Sequence, residues 1–208
     1  MKQNLYFIAS SELVLEKPLD YVVREAIAGG VDIVQLRDKR LPAAEVYRLA
    51  LKLKDITESK NVRLIINDRV DIALAVDADG IHLGQSSLPL PVVRRLVGHG
   101  MTIGVSTHGM EEAKRAEKEG ADYVTFSPIF PTHCKPGQAP QGIDALLSIK
   151  QALGIPVVAL GGINEQNISQ VVHGGITNVA VMSLLMHAPA PKGTASVLKK
   201  KITGTDKD

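Results

Sequence analysis

Eight short apolar runs of β type, each closed by polar or glycine-rich residues and each followed by a helical pattern, constrain this chain more than any other feature. In order they are Leu5 to Ala9, Ile33 to Leu36, Arg63 to Ile66, Gly80 to Leu83, Thr102 to Val105, Tyr123 to Phe126, Val157 to Leu160 and Asn178 to Val181. Their hydrophobicity is continuous rather than alternating, which marks strands buried on both faces. Strand and helix alternating eight times is the pattern of an α/β fold, the parallel (β/α)8 or TIM barrel. In that fold, the groups just after each strand converge on one mouth.

A length of 208 residues leaves room for eight such units with brief connections, so a single barrel domain is expected over residues 1–198. Residues 199–208 lose apolar periodicity and are expected to form a frayed or disordered tail. A net charge of +2, from 24 basic and 22 acidic residues, gives no footprint for nucleic acid or for an anionic membrane. No apolar stretch is long enough to span a bilayer, and the first residues run into a strand without a signal-peptide core, so the cytoplasm is the expected compartment. The single cysteine, Cys134, agrees with a reducing environment. Trp is absent and aromatics are scarce, so Val, Ile, Leu and Ala must fill the core.

The chemistry lies at the strand ends. After the second strand, alternation puts Gln35, Arg37 and Lys39 on one inward side. Two cations on one lip suit a phosphorylated ligand, since Arg offers a fork of donors and Lys a compact charge. The competing role for Arg37 is a rim ion pair with Asp38 or another acid. Asn67 and Asp68 close the third strand, where Asp68 can hold a divalent cation or cap the next helix. His82 falls within the fourth strand and is expected to be a packed histidine, whereas His108, after Ser106 and Thr107, stands equally for capping and for proton transfer.

The longest connection follows the sixth strand and spans residues 127–142. Thr132, His133, Cys134 and Lys135 place a hydroxyl, an imidazole, a thiol and an ammonium in one short stretch, a density that points to ligand contact. The seventh strand runs into Gly161 and Gly162 and the eighth into Met182 and Ser183. Glycines there let backbone N–H groups approach an anion, and helix starts after them would add favourable dipole ends.

Taken in order, Gln35-Leu36-Arg37-Asp38-Lys39, Asn67-Asp68, Ala78-Asp79-Gly80-Ile81-His82-Leu83-Gly84-Gln85, Ser106-Thr107-His108, Ala121-Asp122-Tyr123-Val124, Pro131-Thr132, Lys135, Gly161-Gly162-Ile163 and Val181-Met182-Ser183 resemble the thiamine phosphate synthase and TenI family. The resemblance covers nearly all of the chain. It implies either of two activities. A synthase joins a pyrimidine diphosphate to a thiazole phosphate with Mg²⁺; a TenI-like tautomerase aromatises a carboxythiazole phosphate by a proton shift and needs no cofactor.

Carried over by residue, the resemblance implies that Gln35, Arg37, Lys39 and Asn67, with Ser106 and Lys135, face the pyrimidine diphosphate. The thiazole phosphate would contact the Thr132 segment, Gly162 and the Met182-Ser183 turn, and Cys134 and Gly161 are further candidates for substrate contact. Asp68 would be a Mg²⁺ ligand in a synthase, but the second acid of the family pattern is Ser87 here, and the hydroxyl before Lys135 has become Cys134. Those departures put the tautomerase first, with His133 as its acid and base and His108 as second choice, because the usual tautomerase histidine falls near Pro128. The synthase is the alternative, and a non-catalytic ligand-binding regulator is the second alternative. The expected partner is a phosphorylated small molecule, with neither nucleic acid nor membrane; a homodimer is compatible with the sequence.

Overall fold

A computed structural model describes residues 3–134 and 137–205. The strands are β1 Asn4–Ala9, β2 Ile33–Leu36, β3 Arg63–Asn67, β4 Gly80–Leu83, β5 Thr102–Thr107, β6 Tyr123–Phe126, β7 Val157–Leu160 and β8 Asn178–Val181. They pair in parallel, each with the next, and β8 returns to β1, so the sheet is a closed barrel. The helices that follow them are α1 Leu19–Ala28, α2 Ala43–Glu58, α3 Val70–Ala75, α4 Leu90–Val97, α5 Met110–Lys118, α6 Gly142–Ala152, α7 Ile168–His173 and α8 Ser183–Met186, with α9 Pro191–Thr203 last. No helix among the described residues is long and apolar enough to cross a membrane.

Two apolar layers follow from the period of the strands, which sends successive side chains to opposite faces. One face of every strand packs outward on the helices, as Leu5, Phe7, Val34, Ile66, Ile81 and Ile103 do. The other face fills the barrel with Tyr6, Ile8, Ile33, Ile65, Tyr123, Val158 and Ala180. The same alternation, continued upward, puts Gln35 and Arg37 above Ile33, Asn67 above Ile65, and Met182 above Ala180. The inner core thus fixes which polar residues face the mouth.

At the opposite end, aspartates that immediately precede β2, β4 and β6 tie the strands together. Asp32 Oδ2 accepts the Leu5 N–H at 2.7 Å, Asp79 Oδ2 that of Leu64 at 2.8 Å, and Asp122 Oδ2 that of Ile103 at 2.7 Å. Each satisfies a strand-end donor that would otherwise be left unpaired. Lys199 Nζ lies 2.7 Å from Asp32 Oδ2. That contact belongs to α9, which continues to Thr203 with Ile202 buried, so residues 199–203 extend the helix where a frayed end was expected. Residues 206–208 lie outside the described residues.

Candidate active site

The mouth at the C-terminal ends of the strands opens into a cavity of about 480 Å³, of the size that takes a small phosphorylated molecule. Gln35, Arg37, Lys39, Asn67 and Asp68 line one side of it. Gln35 is buried and its Nε2 donates to Asn67 Oδ1 at 3.1 Å, which holds the two amides in one orientation across β2 and β3. The rim ion pair weighed for Arg37 is not formed. The Asp38 carboxylate turns away to accept from the Ser11 N–H at 3.1 Å and from the Ser11 hydroxyl. Among the described residues neither Arg37 nor Lys39 has an ion-pair partner, so both charges are available to a ligand.

Asp68 stands in the left-handed region with φ 60°, a conformation that Asp tolerates better than most residues. Its side-chain partners lie away from the start of α3, whose N-cap position is Arg69 with no side-chain cap bond. Instead Asn67 Nδ2 donates to Asp68 Oδ2 at 2.7 Å, while Oδ1 takes the Gly84 N–H at 3.3 Å and the Ser87 hydroxyl. Ser87, the position that departs from the family's acid, is therefore in contact with Asp68. Among the described residues no three His, Cys, Asp or Glu side chains are grouped as a metal cage.

Ser106, His82 and His108 form the next stretch of wall. His82, expected to be packed, is buried, yet its Nε2 lies 2.8 Å from Ser106 Oγ at the cavity surface. Its presence in the site was missed because the strand pattern reports burial and not the partners of the ring. His108 is half-buried; Glu112 Oε2 accepts its backbone N–H at 2.8 Å and lies 3.1 Å from Nδ1, so it does organise the start of α5.

Thr132 and Cys134 reach the cavity from the long connection, and Cys134 Sγ lies 3.5 Å from Ser183 Oγ. His133, between them, is exposed and is not among the residues lining the cavity. Lys135 lies outside the described residues. Gly161, Gly162, Met182 and Ser183 complete the far wall. At Gly162, φ is +67° and a Cβ would sit 2.5 Å from the Pro131 carbonyl oxygen, so the long connection can close over β7 only on glycine. The helix that follows these glycines, α7, begins at Ile168. The intervening turn is held by Asn167, whose Nδ2 donates to the Gly162 carbonyl at 2.8 Å, a contact with no sequence signal beyond an Asx-rich turn.

The family model described as thiamine monophosphate synthase matches residues 5–185. The chain belongs to that family. This thiamine monophosphate synthase family member is 46% identical over 199 residues to the thiamine-phosphate synthase of Alkaliphilus oremlandii, covering 96% of this chain and 95% of that protein. It is 43% identical over 195 residues to that of Clostridium acetobutylicum, covering 94% and 92%. The thiamine phosphate pyrophosphorylase of Pyrococcus furiosus superposes with a TM-score of 0.89 at 36% identity, covering 99% of this chain and 98% of that one. Family membership makes the chain an enzyme of thiamine biosynthesis. It also corrects the order of the two activities, because these relatives carry the synthase name and none of them supports putting the tautomerase first.

Proposed function

We propose that the protein is a thiamine-phosphate synthase, a transferase that joins a hydroxymethylpyrimidine diphosphate to a thiazole phosphate. The observation that carries this reading is the pair of cations, Arg37 and Lys39, without an ion-pair partner among the described residues, beside the coupled amides of Gln35 and Asn67 on one wall of the cavity. A single phosphate anchored at the far wall does not call for a second cationic lip; a diphosphate does.

The reaction also fits the groups present. The ring nitrogen of the thiazole gives its lone pair to the pyrimidine methylene carbon, and the carbon–oxygen pair departs on pyrophosphate. No proton has to move, so catalysis rests on holding the two partners in line and on stabilising charge as it gathers on the leaving group. Arg37, Lys39, the Asn67 amide and the Ser106 hydroxyl supply donors for that charge, and the family resemblance gives Lys135 the same role. Thr132, Gly162 and Ser183 anchor the thiazole phosphate opposite. A tautomerase, by contrast, needs an acid and a base in the cavity. His133, the first choice for that role, is exposed and does not line the cavity.

The donor set around Asp68 suits Mg²⁺, which commonly takes one or two carboxylates together with substrate phosphates and water. Asp68 and the Ser87 hydroxyl would hold it, and when bound it supplies further neutralisation of the departing pyrophosphate. The test is to mix the purified protein with the pyrimidine diphosphate and the thiazole phosphate, with and without Mg²⁺, and to measure thiamine phosphate. Mg²⁺-dependent product over many turnovers is expected. No product, from protein that binds both substrates, would overturn the reading.

A further inference from the structure

A chain of hydrogen-bonding groups crosses three adjacent strands inside the barrel and ends at the cavity. His82 on β4 is 3% exposed, with Nδ1 3.0 Å from the Tyr123 hydroxyl on β6 and Nε2 2.8 Å from Ser106 Oγ on β5. Between β4 and β6 in this layer stands Gly104, in register with His82 on one side and with Tyr123 on the other. A Cβ at Gly104 would lie 2.0 Å from Tyr123 Cζ and 2.4 Å from its hydroxyl oxygen. The missing side chain on β5 is therefore what lets a phenol from β6 reach a histidine on β4.

We infer that Tyr123 sets the tautomer of His82 and that His82 sets the direction of the Ser106 hydroxyl, so that both are positioning residues for an anionic substrate group. The anion is taken to be the diphosphate of the synthase reading; the tautomer itself does not depend on that reading. Burial pushes the Tyr123 phenol well above its ordinary pKa, so it remains neutral and has one proton to place. A buried donor left without an acceptor is costly, and His82 Nδ1 is the acceptor within reach. If Nδ1 accepts, the ring proton sits on Nε2. Nε2–H then donates to Ser106 Oγ, which leaves the serine's own O–H to be given to the cavity. The Gln85 amide donates to the Ser106 carbonyl at 2.5 Å and steadies the backbone of the same residue.

The opposite tautomer reverses the outcome. A bare Nε2 would take the serine proton, and Ser106 would then show lone pairs to the cavity, which an anion avoids. The phenol of Tyr123 thus decides, two residues away, whether Ser106 attracts or repels a phosphate oxygen. A purely packing role for Tyr123 would be met equally well by Phe, and it would leave the direction of the serine hydroxyl unspecified.

The test combines ring nitrogen chemical shifts with binding of inorganic pyrophosphate in the presence of Mg²⁺. In ligand-free protein labelled with ¹⁵N-histidine, assigned through loss of the signal in His82→Gln, His82 is expected to show a protonated Nε2 and a bare Nδ1. Tyr123→Phe keeps the ring over Gly104; it should mix the two tautomers and weaken pyrophosphate binding by about tenfold. Thiazole phosphate affinity should not change. His82→Gln, whose amide N–H takes the place of Nε2–H, should keep pyrophosphate affinity within about threefold, whereas the shorter His82→Asn should lose as much as Ser106→Ala. A wild-type ring protonated on Nδ1 would overturn the inference. So would Tyr123→Phe that binds pyrophosphate like the wild type, or one that loses both ligands equally, as general loosening of the barrel would. Failure to form thiamine phosphate, with these shifts and affinities as expected, would remove the synthase reading and leave the relay standing.

Discussion

The Ser87 hydroxyl donates to Oδ1 of Asp68 across the gap between the β4 and β3 ends, so a neutral side chain occupies the place from which a second carboxylate would share a cation with Asp68. One carboxylate holds Mg²⁺ weakly unless substrate phosphates complete the shell. Ser87→Asp is therefore expected to lower the Mg²⁺ concentration for half-maximal thiamine phosphate formation by roughly tenfold, the weight of about 1.4 kcal/mol. Asp68→Asn should raise it by more than that, because it removes the carboxylate itself. A Mg²⁺ titration of initial rates for the three proteins checks both, and an unmoved midpoint in Ser87→Asp would dissociate Ser87 from the cation.

Cys134 gives a direct handle on the far wall. It is exposed, lines the cavity, and places Sγ 3.5 Å from Ser183 Oγ. As the sole cysteine it can be alkylated without ambiguity. Iodoacetamide should inactivate the enzyme, and thiazole phosphate should slow that inactivation, whereas pyrophosphate should not. Cys134→Ser, which keeps a partner for Ser183, should retain activity within about threefold and resist the reagent. Inactivation that thiazole phosphate fails to slow would separate Cys134 from that end of the site.

Gly104 tests the packing beneath the site. Adding one methyl group there drives it into the Tyr123 ring, which itself lies tilted against Tyr6 with centroids 5.9 Å apart. Because Tyr123 is buried among strands that cannot all shift, Gly104→Ala should cost about 3 kcal/mol, the upper end for overpacking. Urea denaturation measures it. A cost below about 1 kcal/mol would mean that the ring moves freely, contrary to its close fit.

The barrel and the polar lip were legible for one reason: both follow from strand periodicity. Ile33 and Ile65 sit inward because the core needs them, and Gln35, Arg37 and Asn67 then share that direction without further information. What periodicity does not encode is the partner of a side chain. Arg37 and Asp38 are adjacent in sequence, yet Ser11 from the β1 connection takes the aspartate and frees the arginine. His82 reads as core from its place in a strand, and it is core; its link to Ser106 depends on an adjacent strand, and its link to Tyr123 on the glycine between them. Asp79 and Asp122 read as parts of a family motif, but they serve the closed end of the barrel, where they accept strand N–H groups. Single departures at Ser87 and Cys134 put the tautomerase first in the sequence, whereas the relatives that match nearly the whole chain carry the synthase name.

The two inner tyrosines also predict how stability responds to alkali. Burial raises the Tyr6 pKa from 10.0 to about 12, opposed by the nearby charge of Arg63, and burial raises that of Tyr123 in the same direction. In the unfolded chain both phenols ionise near their ordinary value, so above pH 10 the unfolded state binds fewer protons than the folded one. Stability conferred by keeping them neutral is therefore complete below pH 10 and is lost as pH rises toward 12. Tyr6 alone should account for about 1.4 kcal/mol of that loss by pH 11. Tyr6→Phe has no phenol to ionise and should lose correspondingly less than the wild type between pH 9 and pH 11, in urea unfolding at constant ionic strength. Lysine titration contributes equally to both proteins, so the difference between the two curves isolates the tyrosine. Parallel curves would show that the Tyr6 hydroxyl ionises in the folded protein as it does in water.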